Sequence, residues 1–156
     1  MKLTPLKRKL SGVMLLEALI GILIFSIGIL AVVGLQAASV KNQADAKYRA
    51  DASYFANQII GQMWGDRTNL ATYAHNPTPA VTVLAPPTCN PNSVPSGNAN
   101  VTAWTAKMAS ILPGAASTRQ QIIINALNNN QVMVVVCWRA PQDTSWHRHL
   151  AVTYIN

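Results

Sequence analysis

The sequence has 156 residues, of which 50% are hydrophobic and only 11% are charged, and its formal net charge is +7. This length suits one ordinary domain with an appended segment, not two full domains. Four of the twelve Lys and Arg residues lie within the first nine positions, and the other eight face five acidic residues, which leaves +3. A strongly cationic nucleic-acid module is therefore not the favoured interpretation, and the low charge content indicates a part that is not purely soluble.

The first element in the chain is an apolar helix close to the N-terminus. Residues 18–40 are 23 consecutive positions without a charge. As a helix they extend about 34 Å, which exceeds the hydrocarbon core of a bilayer at about 30 Å. The basic cluster before them predicts a cytoplasmic N-terminus and an exported C-terminal part. A leader-peptidase site at the small residues 36–39 is the alternative to a retained membrane anchor.

A single acid lies at the start of this apolar segment. Glu17 follows the apolar residues 13–16, and a carboxylate that reaches the bilayer centre costs a few kcal/mol unless it finds a partner. Alternatively, it snorkels to the interface near the positive end of the helix dipole. Cleavage after Gly12 would remove the basic leader, retain the apolar segment and create an amino group at Val13, one helical turn from Glu17.

At these residues the sequence resembles the type IV pilins and their relatives. Their signal is a short basic leader, a glycine, a hydrophobic residue, three further residues and a glutamate that begins an apolar helix. It reads here as Lys7-Arg8-Lys9-Leu10-Ser11-Gly12 and then Val13-Met14-Leu15-Leu16-Glu17-Ala18-Leu19. The resemblance implies that a cytoplasm-facing prepilin peptidase cleaves between Gly12 and Val13 and N-methylates Val13. The chain departs from many major pilins, which have a larger aromatic first mature residue and a proline in mid-helix.

The resemblance also implies an assembly role for Glu17. Its carboxylate is expected to meet the N-terminal amine of a subunit as that subunit docks into the filament. Opposite charges attract far more strongly in a low dielectric than in water, and truncating one leaves the other buried and unpaired.

Further residues along the helix resemble the PilV-type minor pilins. They are the double leucine before Glu17, Leu35-Gln36-Ala37, residues 54–59 and Met63. The type II secretion pseudopilins share the Leu-Leu-Glu sequence and are the alternative family.

The helix is predicted to continue beyond the apolar segment and to end at Gly65 and Asp66. Residues 41–64 contain no proline, and their larger apolar side chains recur at a helical spacing, flanked by Ala56 and Ile60. These positions are Tyr48, Ala52, Phe55, Ile59 and Met63. A helix with one apolar face requires a globular domain packed on that face.

The remaining chain supplies such a domain. Turn residues dominate 71–100, with a short β-prone run at 81–84. Beyond them, the pattern predicts a helix over 102–112 with Trp104, Met108, Ile111 and Leu112 on one side, strands over 121–127, 131–138 and 149–155, and a hairpin turn at 128–130.

These elements predict an α+β fold, a type IV pilin-like ladle with a long N-terminal helix packed on a small antiparallel β-sheet. The predicted organisation is a leader over 1–12, a transmembrane and filament-core helix over 13–40, its amphipathic continuation over 41–66, and an exported β-rich domain over 67–156.

The two cysteines lie in the exported part, at Cys89 and Cys137. In an oxidising compartment they most simply form one disulfide, and two unpaired thiols are the alternative. A zinc site is not favoured because the chain lacks CxxC and HExxH spacing, and neither a metal nor a cofactor is expected.

An acid–base cluster at Asp143, His147 and His149 is the basis of an enzyme alternative. The two histidines share one face of the last strand and Arg148 faces the other way. No second carboxylate or Gly-rich phosphate loop accompanies them, so a polar strand edge is the favoured interpretation and no enzyme is expected.

A weak basic and aromatic patch is the basis of a nucleic-acid alternative. Its candidate residues are Lys107, Arg119, Arg139 and Arg148 with Trp104, Trp138 and Trp146. The favoured interpretation is that the tryptophans fill a small core and the basic residues are solvated, which makes nucleic-acid binding unexpected.

The resemblance implies a minor pilin that primes or modifies type IV pilus assembly. Its expected partners are other minor pilins, the major pilin, the prepilin peptidase, the inner-membrane assembly platform and, before assembly, membrane lipid. It is expected in the inner membrane as a single-pass precursor and afterwards in the pilus at the cell surface. The alternatives are a type II secretion pseudopilin, a DNA-uptake pilin and a membrane-tethered periplasmic enzyme.

Overall fold

The fold comes from a computed structural model, which describes residues 11–77, 87–91 and 93–156. Two α-helices and three strands carry it: α1 (Ser11–Gly65), α2 (Ala99–Ile111), β1 (Gln121–Asn125), β2 (Gln131–Trp138) and β3 (His147–Tyr154), with 3₁₀ helices at Arg67–Tyr73 and Ser117–Arg119. The chain divides into two compact units, residues 1–43 and 44–156. The β-prone run predicted at 81–84 lies outside the described residues.

Helix α1 is a single helix of 55 residues. It begins just before the apolar segment and contains no proline, so no backbone N–H is missing from its ladder. It ends at Gly65, where the Asp66 N–H still donates to the Gln62 carbonyl at 3.1 Å. The end predicted at Gly65 and Asp66 is confirmed.

In the second unit, one face of α1 forms part of the core. Ala52, Phe55, Ala56, Ile59 and Met63 are each no more than 1% exposed, and Tyr48 and Ile60 pack partly buried against the same cluster. These are the positions that the helical spacing selects in the sequence, and burying them supplies most of the stability of such a helix.

The three strands form an antiparallel sheet in the order β1-β2-β3. Alternate side chains face the core, namely Ile122, Val132, Val134, Val136 and Trp138. The hairpin turn is longer than predicted, because Asn129 and Asn130 both adopt positive φ and β1 ends at Asn125. Asparagine tolerates this left-handed conformation better than most residues. β3 begins at His147, two residues earlier than predicted.

Helix α2 begins at Ala99, three residues before the predicted start, because the Asn98 side chain caps it by accepting from the Asn100 N–H at 2.9 Å. Val101, Trp104 and Met108 are buried on its inner face. Ile111, predicted to lie on the same side as Trp104 and Met108, is 42% exposed, whereas Leu112 turns inward where the backbone becomes extended.

An indole connects α2 to α1. Trp104 Nε1 donates to the Phe55 carbonyl at 2.9 Å and is buried there. Helices and sheet therefore share one core within the second unit, and the predicted α+β fold, with the long N-terminal helix packed on a small antiparallel sheet, is confirmed.

Candidate functional site

The N-terminal half of α1 presents an unpartnered apolar surface. All residues from Val13 to Val40 are exposed, including Phe25 at 68% and Leu30 at 70%. Within this stretch, the polar Ser26 satisfies its hydroxyl inside the helix by donating to the Ile22 carbonyl at 2.7 Å. The helix is long and apolar enough to span a membrane, and none of the residues that the structure describes covers that segment.

Glu17 is the one charged residue between Ser11 and Val40. It is exposed on α1 and lies four residues after Val13, so the two positions share a helical face one turn apart. Among the described residues, none forms an ion pair with Glu17. The structure thus places the carboxylate on the apolar surface, where burial against lipid or protein would be costly unless the carboxylate gains a partner or snorkels to the membrane interface.

The predicted disulfide is confirmed. Cys89 bonds to Cys137 with the two Cα atoms 5.7 Å apart, which ties the segment 87–91 to the end of β2. The Gln120 side chain holds the backbone at the same end of β2. Its Oε1 accepts from the Cys137 N–H at 2.8 Å, and its Nε2 donates to the Cys137 carbonyl at 3.0 Å. Sequence reasoning missed Gln120, since nothing local marks it as buried.

Two of the three residues of the enzyme alternative, Asp143 and His147, form a hydrogen-bonded pair. His147 Nε2 lies 2.7 Å from Asp143 Oδ2, and its ring stacks on Trp138 with centroids 5.6 Å apart. His149 is half-buried on the same face of β3, and Arg148 is exposed on the other. In the part of the chain that the structure describes, no hydroxyl or thiol hydrogen-bonds to the imidazole ring of His147, and no group of three His, Cys, Asp or Glu is arranged to hold a metal ion.

The third histidine, His75, is not singled out in the sequence, and it joins three segments of the domain. His75 is 1% exposed and its backbone bridges Ile122. Its Nδ1 accepts from the Ser96 N–H at 3.0 Å, so its Nε2 carries the proton and donates to the Ser117 carbonyl at 3.0 Å. Because Nε2 is occupied as a donor, it is not available to take the proton of the Ser117 hydroxyl, and the pair is not an activated nucleophile.

Because His75 is buried in its neutral form, we expect the folded domain to become less stable as the pH falls. Burial lowers the pKa of His75 below its ordinary value of 6.5, against the smaller opposing effect of the Ser117 hydrogen bond. The unfolded chain therefore binds the proton first as the pH falls below about 6.5, and this contribution to the free energy of unfolding is lost in that direction. We expect the urea midpoint of the full-length chain in detergent to fall from pH 7 to pH 5, and to fall less in His75→Gln. Parallel pH profiles for the two proteins would refute this role.

The expected burial of the tryptophans is correct for two of the three patch residues. Trp104 and Trp138 are 3% and 2% exposed and belong to the core. The expectation is wrong for Trp146, which is half-buried and packs against cations. The guanidinium carbon of Arg119 lies 4.1 Å from its ring centroid, and that of Arg139 lies 4.9 Å away. Lys107 is exposed on α2.

No protein-family model, no curated protein and no solved structure matches this chain.

Proposed function

We propose that the chain is a minor pilin, a structural subunit that primes or modifies the assembly of a type IV pilus by helix packing. The observation that carries this proposal is the first half of α1: its apolar side chains are exposed on every side, and its only charge is Glu17, one turn after the Gly12–Val13 boundary. A plain membrane anchor would account for the apolar length but gives no reason for an acid within it.

The proposed precursor has its basic leader in the cytoplasm and its β-rich domain in the periplasm. A prepilin peptidase cleaves between Gly12 and Val13 and N-methylates Val13, which leaves the apolar helix on the mature chain. The mature chain then moves from membrane lipid into a filament, in which neighbouring helices cover the exposed face. A cleaved secretory signal has a similar composition, but it would be lost from the mature protein.

The chemistry of docking rests on two charges. When the helices pack, Glu17 enters apolar surroundings and needs a cation, and the cleaved amine of a neighbouring subunit supplies one. This pairing fixes the axial position of one helix against the next, while the apolar side chains provide the contact area. In this proposal the chain acts by packing and not by catalysis, and its partners are other minor pilins, the major pilin, the prepilin peptidase and the assembly platform.

Cleavage of the leader tests the proposal. Gly12→Leu places a bulky side chain at the proposed cleavage site and is expected to leave the leader attached in membranes that contain the peptidase. Gly21→Leu is the matched control, because it makes the same change on the same helix at a position where an added Cβ meets nothing within 4 Å. Immunoblots of the membrane fraction should show the shortened chain for the wild type and Gly21→Leu, and the full-length chain for Gly12→Leu. Equal cleavage of both variants would contradict the proposed site.

A further inference from the structure

Strand β3 forms one edge of the antiparallel sheet. Among the residues that the structure describes, β3 pairs with β2 along one side, and no strand lies along its other side. The opposite edge of the sheet is different, because the His75 N–H donates to the Ile122 carbonyl at 3.0 Å and the Ile122 N–H donates to the His75 carbonyl at 2.9 Å. The edge at β1 is therefore partly closed by the chain, whereas the edge at β3 is open.

Strand β3 also lacks the features that usually keep an edge strand from pairing with another chain. Such features are a proline, a lysine, a β-bulge or a very short strand. β3 has eight residues, pairs with β2 in unbroken register from His147 to Tyr154, and contains neither proline nor lysine. Its formal positive charge is Arg148, close to its start. A long and regular edge of this kind is a template for the addition of a further strand.

The outward face of β3 is apolar beyond Arg148. Leu150, Val152 and Tyr154 follow Arg148 at every second position, so the four side chains share one face of the sheet. The three apolar side chains are each between 43% and 49% exposed. The side chains of an added strand would lie directly opposite them, in the arrangement that stabilises neighbouring strands of a sheet. The edge therefore offers apolar contacts as well as backbone hydrogen bonds.

Positive charge is concentrated where β3 begins. Arg119 and Arg148 line an open cleft of about 540 Å³ at this end of the strand. Both guanidinium groups are held in place by backbone carbonyls, since Arg119 Nη1 donates to that of Cys89 at 3.0 Å and Arg148 Nη1 donates to that of Pro87. Each group keeps further N–H donors, which suit a carboxylate. The start of the edge is therefore a site that attracts an anion.

The charge of the domain indicates what kind of strand fits this edge. Residues 67–156 contain five basic residues and a single acidic one, Asp143, whose carboxylate lies 2.7 Å from His147. In an antiparallel pair, the carboxyl end of an added strand lies beside the start of β3, where the cleft is. A second copy of β3 would bring Tyr154 to this end and no acid. The edge is therefore complementary to a strand of a different protein that has an acidic carboxyl end.

From this geometry we infer an interaction surface: the open edge of β3 binds an extended segment of another protein by strand addition. The segment has apolar side chains at alternate positions, which pack on Leu150, Val152 and Tyr154, and an acidic side chain or free carboxylate at its carboxyl end, which contacts Arg148. Backbone hydrogen bonds provide affinity for a strand, and the alternate side chains and the anion provide specificity. The surface uses no residue of α1, so the inference does not depend on the proposed assembly role.

Selection from a peptide library tests this inference. The library displays random peptides of about eight residues, the length of β3, each with a free carboxyl end. Selection on the full-length chain in detergent micelles is expected to enrich valine, isoleucine, leucine or aromatic residues at alternate positions, with aspartate or glutamate near the carboxyl end. An enriched peptide is then labelled at its amino end, and its binding is measured by fluorescence anisotropy.

Matched substitutions on the chain locate the peptide. Val152→Lys is expected to weaken binding by roughly fivefold or more, because it replaces an apolar contact by a charge that opposes pairing at an edge. Val94→Lys makes the same change at an exposed position outside the sheet and should bind like the wild type. Arg148→Gln is expected to weaken binding of the acidic peptide but not of its amide counterpart, and Lys107→Gln on α2 should affect neither. Thermal unfolding verifies that each variant is folded.

The backbone of the peptide provides a control that leaves the chain unchanged. The N–H groups of successive residues in a strand point to opposite edges, and only one edge of the peptide faces β3. Two versions of the enriched peptide, each N-methylated on one alternate set of amides, keep the same side chains and the same charge. Only the version whose methyl groups face β3 is expected to lose binding.

Three results would overturn the inference. The first is a selection that enriches no peptide with alternating apolar residues and an acidic carboxyl end. The second is binding that both N-methylated peptides retain or both lose, or that Val152→Lys and Val94→Lys reduce equally. The third is self-association of the chain in micelles that Val152→Lys abolishes, as measured by sedimentation, which would assign the edge to a second copy.

Discussion

Glu17→Gln is expected to lower recovery of the chain in sheared surface fibres by roughly 100-fold or more. Glutamine has nearly the same shape and a similar helix propensity, so insertion into the membrane and removal of the leader should continue. What is lost is the negative charge that would pair with the amine of a neighbouring subunit. Leaving one member of such a pair buried alone costs about 3–5 kcal/mol, and each 1.4 kcal/mol is a factor of ten.

The measurement is quantitative immunoblotting of the fibre and membrane fractions of the same cells. Asp45→Asn is the matched control, since it also neutralises an acid on α1 but lies beyond the apolar segment. We expect Asp45→Asn to enter fibres like the wild type. If Glu17→Gln enters fibres as efficiently as Asp45→Asn, charge pairing at position 17 is not what drives docking.

Phe55→Ala is expected to lower the free energy of unfolding of the second unit by about 3–5 kcal/mol. Phe55 is 1% exposed and lies on the face of α1 that packs in the core. Its backbone carbonyl also accepts the indole N–H of Trp104, so a cavity at this position is next to a buried hydrogen bond between α1 and α2. Partial relaxation around the cavity would disturb that bond as well.

Urea unfolding of the full-length chain in detergent, followed by tryptophan fluorescence, measures this loss. Tyr54→Ala is the control on the adjacent position, because Tyr54 is 58% exposed and contributes mainly through its edge contact with Phe55, with ring centroids 5.7 Å apart. Such a contact accounts for about 1 kcal/mol. Equal destabilisation by the two variants would contradict the assignment of the inner face of α1.

The elements that sequence predicts well are those fixed by local patterns. The spacing of Ala52, Phe55, Ile59 and Met63 determines which face of α1 is buried, and it does so because helix geometry relates residues a few positions apart. The strands follow in the same way from runs of β-branched residues, and Gly65 ends the helix. Gly12, Val13 and Glu17 also form a local motif, so the cleavage site and the assembly residue can be predicted without a fold, and they stay predictions.

Other features depend on contacts that are distant in sequence. His75 is buried where its ring hydrogen-bonds to the Ser96 N–H and to the Ser117 carbonyl, and neither serine lies near it in the chain. Trp146 has no local pattern that separates it from the core tryptophans, and only the pairing of β2 with β3 brings Arg139 to its ring. The start of α2 depends on one capping side chain, Asn98, among several asparagines that could serve the same purpose.

The N-terminus of the chain in purified surface fibres tests the central claim most directly. Fibres sheared from cells and washed free of membrane are dissolved, and the intact mass and the N-terminal peptide are measured by mass spectrometry. The account predicts a chain that lacks residues 1–12 and begins at Val13 with one added methyl group on its amine. A chain that keeps its leader in the fibres, or one that is found only in the membrane fraction, would contradict it.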